Sequence, residues 1–502
     1  MLSIYDQGRP PPCPAPFNLA AHVLRHAAVR AEHPALVIAG QASDTVWTYR
    51  EVNDAVLGIA TGFRTAGFKP GDILLMRLGN SVDFPLVFLA AIAAGLVPVP
   101  TSAQLTQQDV ARIVSELRPA GILRDPEIAS VPHAREISLD HIRSMRAAPP
   151  WTFELGDPER LAYIVYTSGT GGTPRAVGHA HRAVWARQMM VRDWYDLGPD
   201  DRLMHAGAFN WTFTLGTGIM DPLSEGATAI VPQSGTDIAT LPDLMRRTDA
   251  TIFAAVPGVY RKILKSDTLP DLPMLRHGLT AGEKLSPEIN EHWHRKVGTP
   301  IYEAFGMSEC STFISASPHR PAETGAMGAP QSGRRIAILG ETGPVPHDTV
   351  GTIAVHKDDP GLMLGYIDAE EETRARFQGD WFLTGDLGTM SASGQICYAG
   401  RNDDMMNAGG FRLSPLEVEH AFANCDGVTQ FAASQVEVKP GVFILVGFFN
   451  GRADVTEKDL RRFAEHTLAA YKQPKAYVRL ANFPTNANGK LLRRSLPDLF
   501  ED

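Results

Sequence analysis

The 502-residue sequence predicts an α/β protein, with a large amino-terminal domain of α/β subdomains built on parallel sheets and a small α+β carboxy-terminal domain. Three observations lead there. Strand-like and helix-like segments alternate from Phe17 onward, which is the signature of a mostly parallel sheet. The chain is long enough for more than one core. After Gly400-Arg401-Asn402-Asp403-Asp404 the pattern becomes shorter and mixed, so residues 1–400 form one domain, 401–404 a joint, and 405–502 a unit of a size that folds alone.

The elements follow in order. Leu19, Val23, Leu24, Ala27 and Ala28 put an apolar stripe on a helix from Phe17 to Ala31, with Asn18 as its cap. Ala35-Leu36-Val37-Ile38 is a strand. Thr48 and Glu51, three apart, open a helix through Phe63 as a capping box. Asp72 to Met76 reads as strand, Val82 to Ala94 as helix, and Val97 to Pro100 as extended chain. Ala227 to Val231 and Thr251 to Ala255 resume the strands. Further on, Ser414 caps a helix with Pro415 in its first turn and Glu417 completing the box.

Bulk properties narrow the class. Hydrophobic residues make up 44% and charged residues 21%, as in an ordinary soluble protein. A net charge of −9 gives no electrostatic reason to expect nucleic acid or an anionic membrane as partner. Cys13, Cys310, Cys397 and Cys425 lie far apart, which indicates neither a zinc site nor a disulfide framework and fits a reducing cytoplasm. The amino terminus is unlike a secretory leader, and the best apolar stretch, Phe84 to Val99, is interrupted by prolines and shorter than about 18 residues.

The chemistry centres on Tyr166-Thr167-Ser168-Gly169-Thr170-Gly171-Gly172-Thr173-Pro174-Arg175. It follows the apolar run Leu161 to Tyr166, a buried strand. Three glycines in four positions let the backbone turn and present its N–H groups, the hydroxyls add donors, and Arg175 adds a fixed charge. The residues after it can start a helix whose positive end faces the same space. Phosphate suits such a loop, although Gly/Ser/Thr clusters are often plain surface turns. It is not a Walker A loop, because the only Gly-Lys pair, Gly489-Lys490, is followed by Leu491.

Two further clusters accompany it. In Tyr302 to Glu309 the strand-end reading of Ile301 and Tyr302 puts Glu309 where a hard carboxylate oxygen can meet a metal-bound nucleotide, a solvated loop glutamate being the other reading. In Trp381-Phe382-Leu383-Thr384-Gly385-Asp386 the aspartate can accept two hydrogen bonds from a ribose diol or simply cap a turn.

The loop resembles the phosphate loop of the acyl-adenylate-forming superfamily, which includes acyl-CoA synthetases, aryl-CoA ligases, peptide-synthetase adenylation domains and luciferases. The usual form has threonine where Gly171 stands and lysine where Arg175 stands. Ala304 to Glu309 resembles that superfamily's Tyr-Gly-x-Thr-Glu motif, with Phe305 and Ser308 in the tyrosine and threonine positions. The resemblance implies ATP binding by Thr167, Ser168, Gly169, Thr170, Gly171, Gly172, Gly306 and Ser308, with Phe305 against adenine and Gly282 and Glu283 lining the base pocket. It implies Mg²⁺ on Glu309 and ribose on Asp386.

Gly400-Arg401-Asn402-Asp403-Asp404 is similar to the hinge motif, which implies that Arg401 contacts ribose or phosphate and that a mobile carboxy-terminal domain turns at Asp403. Asn407 to Arg412 looks like Lys-x-x-Gly-x-Arg without its lysine, placing Gly409 and Gly410 against the pantetheine arm of coenzyme A. Lys490, in a segment whose spacing Thr485 and Asn486 disturb, would bridge the substrate carboxylate and the α-phosphate. Asn210 stands where many members have a gating histidine, and Trp211, Phe213 and Gly216-Thr217-Gly218 would line the acyl pocket, though they could equally be core.

The resemblance thus implies a carboxylate–CoA ligase using ATP, Mg²⁺ and coenzyme A through an acyl-AMP intermediate, most like the benzoate and aryl-acid branch, with Lys490, Glu309 and Arg175 catalytic. A small aliphatic acid, a carrier-loading adenylation enzyme and a non-catalytic nucleotide-binding homologue stay open, as does a homodimer.

Overall fold

The computed structural model describes residues 1–167, 175–402, 406–408, 411–439, 442–468, 472–485 and 491–500. Two compact units divide the chain: Tyr5–Ile336 with Val355–Phe382, and Met1–Ile4 with Ala337–Ala354 and Leu383–Asp502.

The larger unit is organised by a nine-stranded sheet. Its centre is parallel, in the order Ile301–Met307, His277–Ala281, Ile252–Ala254, Arg202–His205, Thr228–Pro232, Pro34–Ala39. Antiparallel strands Ser311–Ser315 and Asp44–Thr48 flank it on either side. One face packs on Val37, Phe253, Tyr260 and Trp293, and the other on Trp194, Tyr195, Leu203 and Ala281. The strand order reverses direction beside Arg202–His205: the next strand in sequence lies on one side of it, and the one after that on the other. The crevice at its carboxyl end is therefore the kind of place where α/β proteins bind ligands.

A second sheet, Val97–Pro100, Ile73–Arg77, Gly121–Arg124 and Glu136–Ser138, is parallel throughout. The predicted alternation holds in both sheets. Helix Tyr49–Thr65 has both halves of the capping box, with Thr48 Oγ1 accepting from Glu51 N at 3.2 Å and Glu51 Oε2 accepting from Thr48 N at 2.7 Å. The predicted helix from Phe17 shrinks to Leu19–Val23. Asn18 caps it as expected, but the Arg25 guanidinium donates to the His22 carbonyl at 3.1 Å and satisfies its end.

One expectation is reversed. Arg175–Ala180, after the glycine-rich loop, is a strand and not a helix. It pairs antiparallel with Leu161–Thr167, setting Thr167 opposite Arg175, and on its other edge with Gly365–Tyr366. Cross-strand partners on both sides complete the backbone hydrogen bonds that a helix would have made internally. Among the described residues, no helix starts directly after the loop.

In the smaller unit, Val428–Lys439 and Val442–Gly451 pair antiparallel, and Ala476–Arg479 joins parallel to the second. Helices Pro415–Phe422 and Glu457–Thr467 contribute Val418, Phe422, Leu460 and Ala464 to its core. The capping box at Ser414 does not form: the side chain makes no cap bond, and Glu417 reaches Lys472 instead.

Candidate active site

Glu309 is the best-held of the predicted residues in the larger unit. It lies in the turn between strands Ile301–Met307 and Ser311–Ser315, so the strand whose start was read as a strand end runs on through Phe305 and Gly306. Gly306 is required there, because a Cβ would fall 2.2 Å from the Ser311 carbonyl oxygen. Glu309 is buried, at 8% exposure. Its Oε1 accepts from the Tyr366 hydroxyl at 2.8 Å, and its carbonyl accepts from Met363 N at 2.7 Å.

Tyr366 pairs with Val177 of the strand that Arg175 begins, so Glu309 is tethered to the hairpin carrying the glycine-rich loop. Burial, then the neighbouring Glu309 carboxylate, raise the phenol above its ordinary pKa and keep it a donor. His179, on the same strand, donates from Nε2 to the Ser308 carbonyl at 2.8 Å and stacks on Tyr163 with ring centroids 4.9 Å apart. A carbonyl only accepts, so Nε2 carries the proton. Burial pushes the His179 pKa down to about 4, and the ring is neutral at physiological pH. Arg175 forms an ion pair with Glu372, Nε to Oε2 at 2.6 Å.

The base and acyl candidates gather at the carboxyl ends of the parallel strands. Gly282 follows strand His277–Ala281 with φ +91°, and a Cβ on it would sit 3.2 Å from the Trp211 ring. Trp211 packs edge-on against Phe213 at 5.8 Å, and Phe305 against Phe313 at 5.4 Å. Trp211, Phe213 and Gly282 thus come together, with Asn210 half-buried in the preceding turn and Glu283 half-buried after Gly282. Gly216-Thr217-Gly218 is buried in the π-helical turn Thr214–Met220, with Gly216 against the Arg187 guanidinium and Thr217 bonded to Tyr195.

Glu303, two residues before Phe305, accepts from Leu285 N at 3.0 Å, and burial pushes its pKa up to about 7. Between the ordinary 4.5 and 7 the folded state keeps a proton that the unfolded chain releases, so this group lowers stability as pH rises through that window. Glu303→Gln keeps the acceptor and removes the charge. Its thermal midpoint is expected to rise relative to the parent more at pH 8 than at pH 5, and an equal difference at both would remove the charge as cause.

The smaller unit holds its own pair. Asp386 lies mid-strand in Trp381–Met390, not at a strand end, where Gly385 takes φ +80°. It stands opposite Arg401 of Ile396–Arg401, with Oδ2 3.4 Å from Arg401 Nη1 and Oδ1 accepting from the Tyr398 hydroxyl at 2.9 Å. Tyr366, His179 and Tyr398 carry no linear motif, so sequence reasoning passed over them. Ser168, Gly169, Thr170, Gly171, Gly172, Asp403, Gly409, Gly410 and Lys490 lie outside the described residues.

Comparisons with known proteins place the chain in a family. Residues 23–367 match the family described as AMP-binding enzyme. The chain is 27% identical to the benzoate–CoA ligase of Thauera aromatica, covering 99% of both chains. It is 28% identical to the 4-hydroxybenzoate–CoA/benzoate–CoA ligase of Rhodopseudomonas palustris over 90% of this chain and 89% of that one. Among solved structures, a benzoate CoA ligase from Burkholderia xenovorans LB400 superposes with a TM-score of 0.85 at 26% identity, covering 96% of this chain and 100% of the other. With the family match spanning more than half its length, this chain belongs to the AMP-binding enzyme family.

Proposed function

We propose that the protein is an ATP-dependent ligase joining an aromatic, benzoate-like carboxylic acid to coenzyme A through an acyl-AMP intermediate, with release of AMP and pyrophosphate. The observation that carries this reading is the tether of Glu309, through Tyr366, to the strand that closes the glycine-rich loop. Relatives of nearly full length that are named as benzoate–CoA ligases support the choice of acid and of thiol.

In the first step a carboxylate oxygen attacks the α-phosphorus and pyrophosphate leaves. The chain supplies positioning and electrostatics rather than a nucleophile. The loop from Thr167 to Arg175 receives the phosphates, and Arg175 exchanges its Glu372 partner for them. Phe305, Gly306, Gly282 and Glu283 take the base, Asp386 and Arg401 the ribose, and Asn210, Trp211 and Phe213 the ring of the acid.

Glu309 fits a Mg²⁺ ligand: it is a hard oxygen donor, and Tyr366 engages Oε1. Among the described residues no group of three His, Cys, Asp or Glu forms a cage, which suits an ion held by one carboxylate and substrate phosphates. Bound there, Mg²⁺ would neutralise developing charge on the phosphates. In the second step residues 405–502 turn at Asp403, Lys490 withdraws, and Gly409 and Gly410 admit the thiol arm of coenzyme A. A cytoplasmic location suits the four unbridged cysteines, and no described helix is long and apolar enough to cross a membrane.

Pyrophosphate and thioester formation across a panel of aromatic and aliphatic acids tests the reading. Aromatic acids are expected to lead in both signals. An aliphatic acid in the lead, or AMP formed without thioester when coenzyme A is present, would overturn it. Tyr366→Phe removes one hydrogen bond to a charged group, and kcat/KM for pyrophosphate release should fall roughly 10-fold; an unchanged value would deny Glu309 its dependence on that hydroxyl.

A further inference from the structure

At the carboxyl end of strand Arg202–His205 lie two buried polar groups that the steps above leave idle. His205, the last residue of that strand, is 1% exposed, and among the described residues neither Nδ1 nor Nε2 has a hydrogen-bond partner. The Oγ1 of Thr214, fully buried, is likewise without one. Buried polar atoms left without partners destabilise a fold, so each such group needs a reason.

The surroundings give one. His205 packs edge-on against Phe213, ring centroids 4.5 Å apart, and Phe213 in turn against Trp211. Two glycines frame the imidazole. A Cβ at Gly207 would come within 2.4 Å of Thr214 Oγ1 and 2.9 Å of His205 Cε1, and one at Gly218 within 2.9 Å of His205 Cβ. Glycine backbone is thus packed closely against both polar groups, beside the aromatic pair assigned to the acid, and offers them no side-chain partner. Thr214 opens a π-helical turn, a geometry found often at functional sites. Burial keeps the imidazole neutral, so one ring nitrogen donates and the other accepts.

We propose that His205 and Thr214 form a polar wall of the acyl pocket that selects aromatic acids bearing a hydroxyl or amino group on the ring over benzoate itself. The proposal rests on the aryl-acid reading and deepens it. A substituent that both donates and accepts satisfies the idle groups, whereas benzoate strands them. Sites built to bond a substrate hydroxyl or amine discriminate strongly against analogues that lack it.

The test compares kcat/KM for pyrophosphate release with benzoate and with the ortho, meta and para hydroxy- and aminobenzoates. At least one substituted acid is expected to exceed benzoate by about 10-fold or more. Thr214→Val, close in shape, and His205→Leu should each pull that ratio toward one while turnover of benzoate persists. A ratio between two acids measured on one preparation is insensitive to partial misfolding. Benzoate used as well as every substituted acid, or a ratio unmoved in both variants, would sink the polar wall while leaving the aryl-acid ligase standing. Failure of every aromatic acid to release pyrophosphate, with an aliphatic acid active, would bring down both.

Discussion

Lys490→Ala is expected to slow acyl-AMP formation about 10²–10³-fold, the range seen when one preorganised charge or donor is taken from a transition state. Thioester formation from supplied acyl-AMP should be nearly unchanged. The asymmetry follows from when charge gathers. As the carboxylate meets the α-phosphate two anionic groups approach each other, and an ammonium between them offsets the repulsion and aligns attack. In the second step the thiol meets an activated acyl group whose leaving phosphate is already in place, and the proposed domain turn has removed the lysine. Single-turnover pyrophosphate release gives the first rate, and loss of coenzyme A thiol upon addition of acyl-AMP gives the second. Equal losses in the two steps would refute the role given to Lys490.

What could be read beforehand was local. Thr48 and Glu51 act within one helical turn, and their capping box stands as the spacing predicts. The alternation of strand and helix survives because its periodicity is set by which face each segment buries. Two of the failures are non-local. Arg175–Ala180 has too few residues to declare its own conformation, and its strand identity comes from Leu161–Thr167 and Gly365–Tyr366, the latter distant in sequence. Asp386 looked terminal because Thr-Gly-Asp reads as a turn. Gly385 does take a positive φ, yet the strand continues to Met390.

The candidate site shows the same division. Residues belonging to linear motifs, such as Glu309, Phe305, Asp386 and Arg401, are candidates by their order along the chain. The side chains that hold or flank them are not. Tyr366 reaches Glu309 across 57 positions, and His179 reaches Ser308 across 129. His205 gave no signal at all, since a histidine in Leu-Met-His-Ala reads as interior strand until both nitrogens are seen to lack partners.

The support beneath Glu309 carries the other large effect. Arg187 and Asp221 form a buried bidentate pair, Nε to Oδ1 at 2.7 Å and Nη2 to Oδ2 at 2.6 Å, and the Tyr195 hydroxyl donates to Oδ2 at 2.7 Å. Burial works against the Arg187 charge, yet Asp221 and then Tyr195 hold its pKa above the ordinary arginine value. Asp221→Asn strands that charge and should cost about 3–5 kcal/mol. The double variant Arg187→Met, Asp221→Leu replaces the pair with apolar groups and should recover most of the loss. Midpoints of urea unfolding read both, and equal losses would mean that the stranded charge is not the cause.

Recovered stability should not restore activity, because Arg187 also donates from Nη1 to Ser311 Oγ, two residues beyond Glu309. Ser311 has φ +62°, an unfavourable conformation for a residue with a Cβ, which persists only where neighbours hold it. Without the guanidinium that turn can relax and take the Glu309 carboxylate with it. The double variant is therefore expected to unfold near the parent midpoint and still form acyl-AMP more slowly. Full activity in a fully stable double variant would show that the Glu309 turn holds its shape without Arg187.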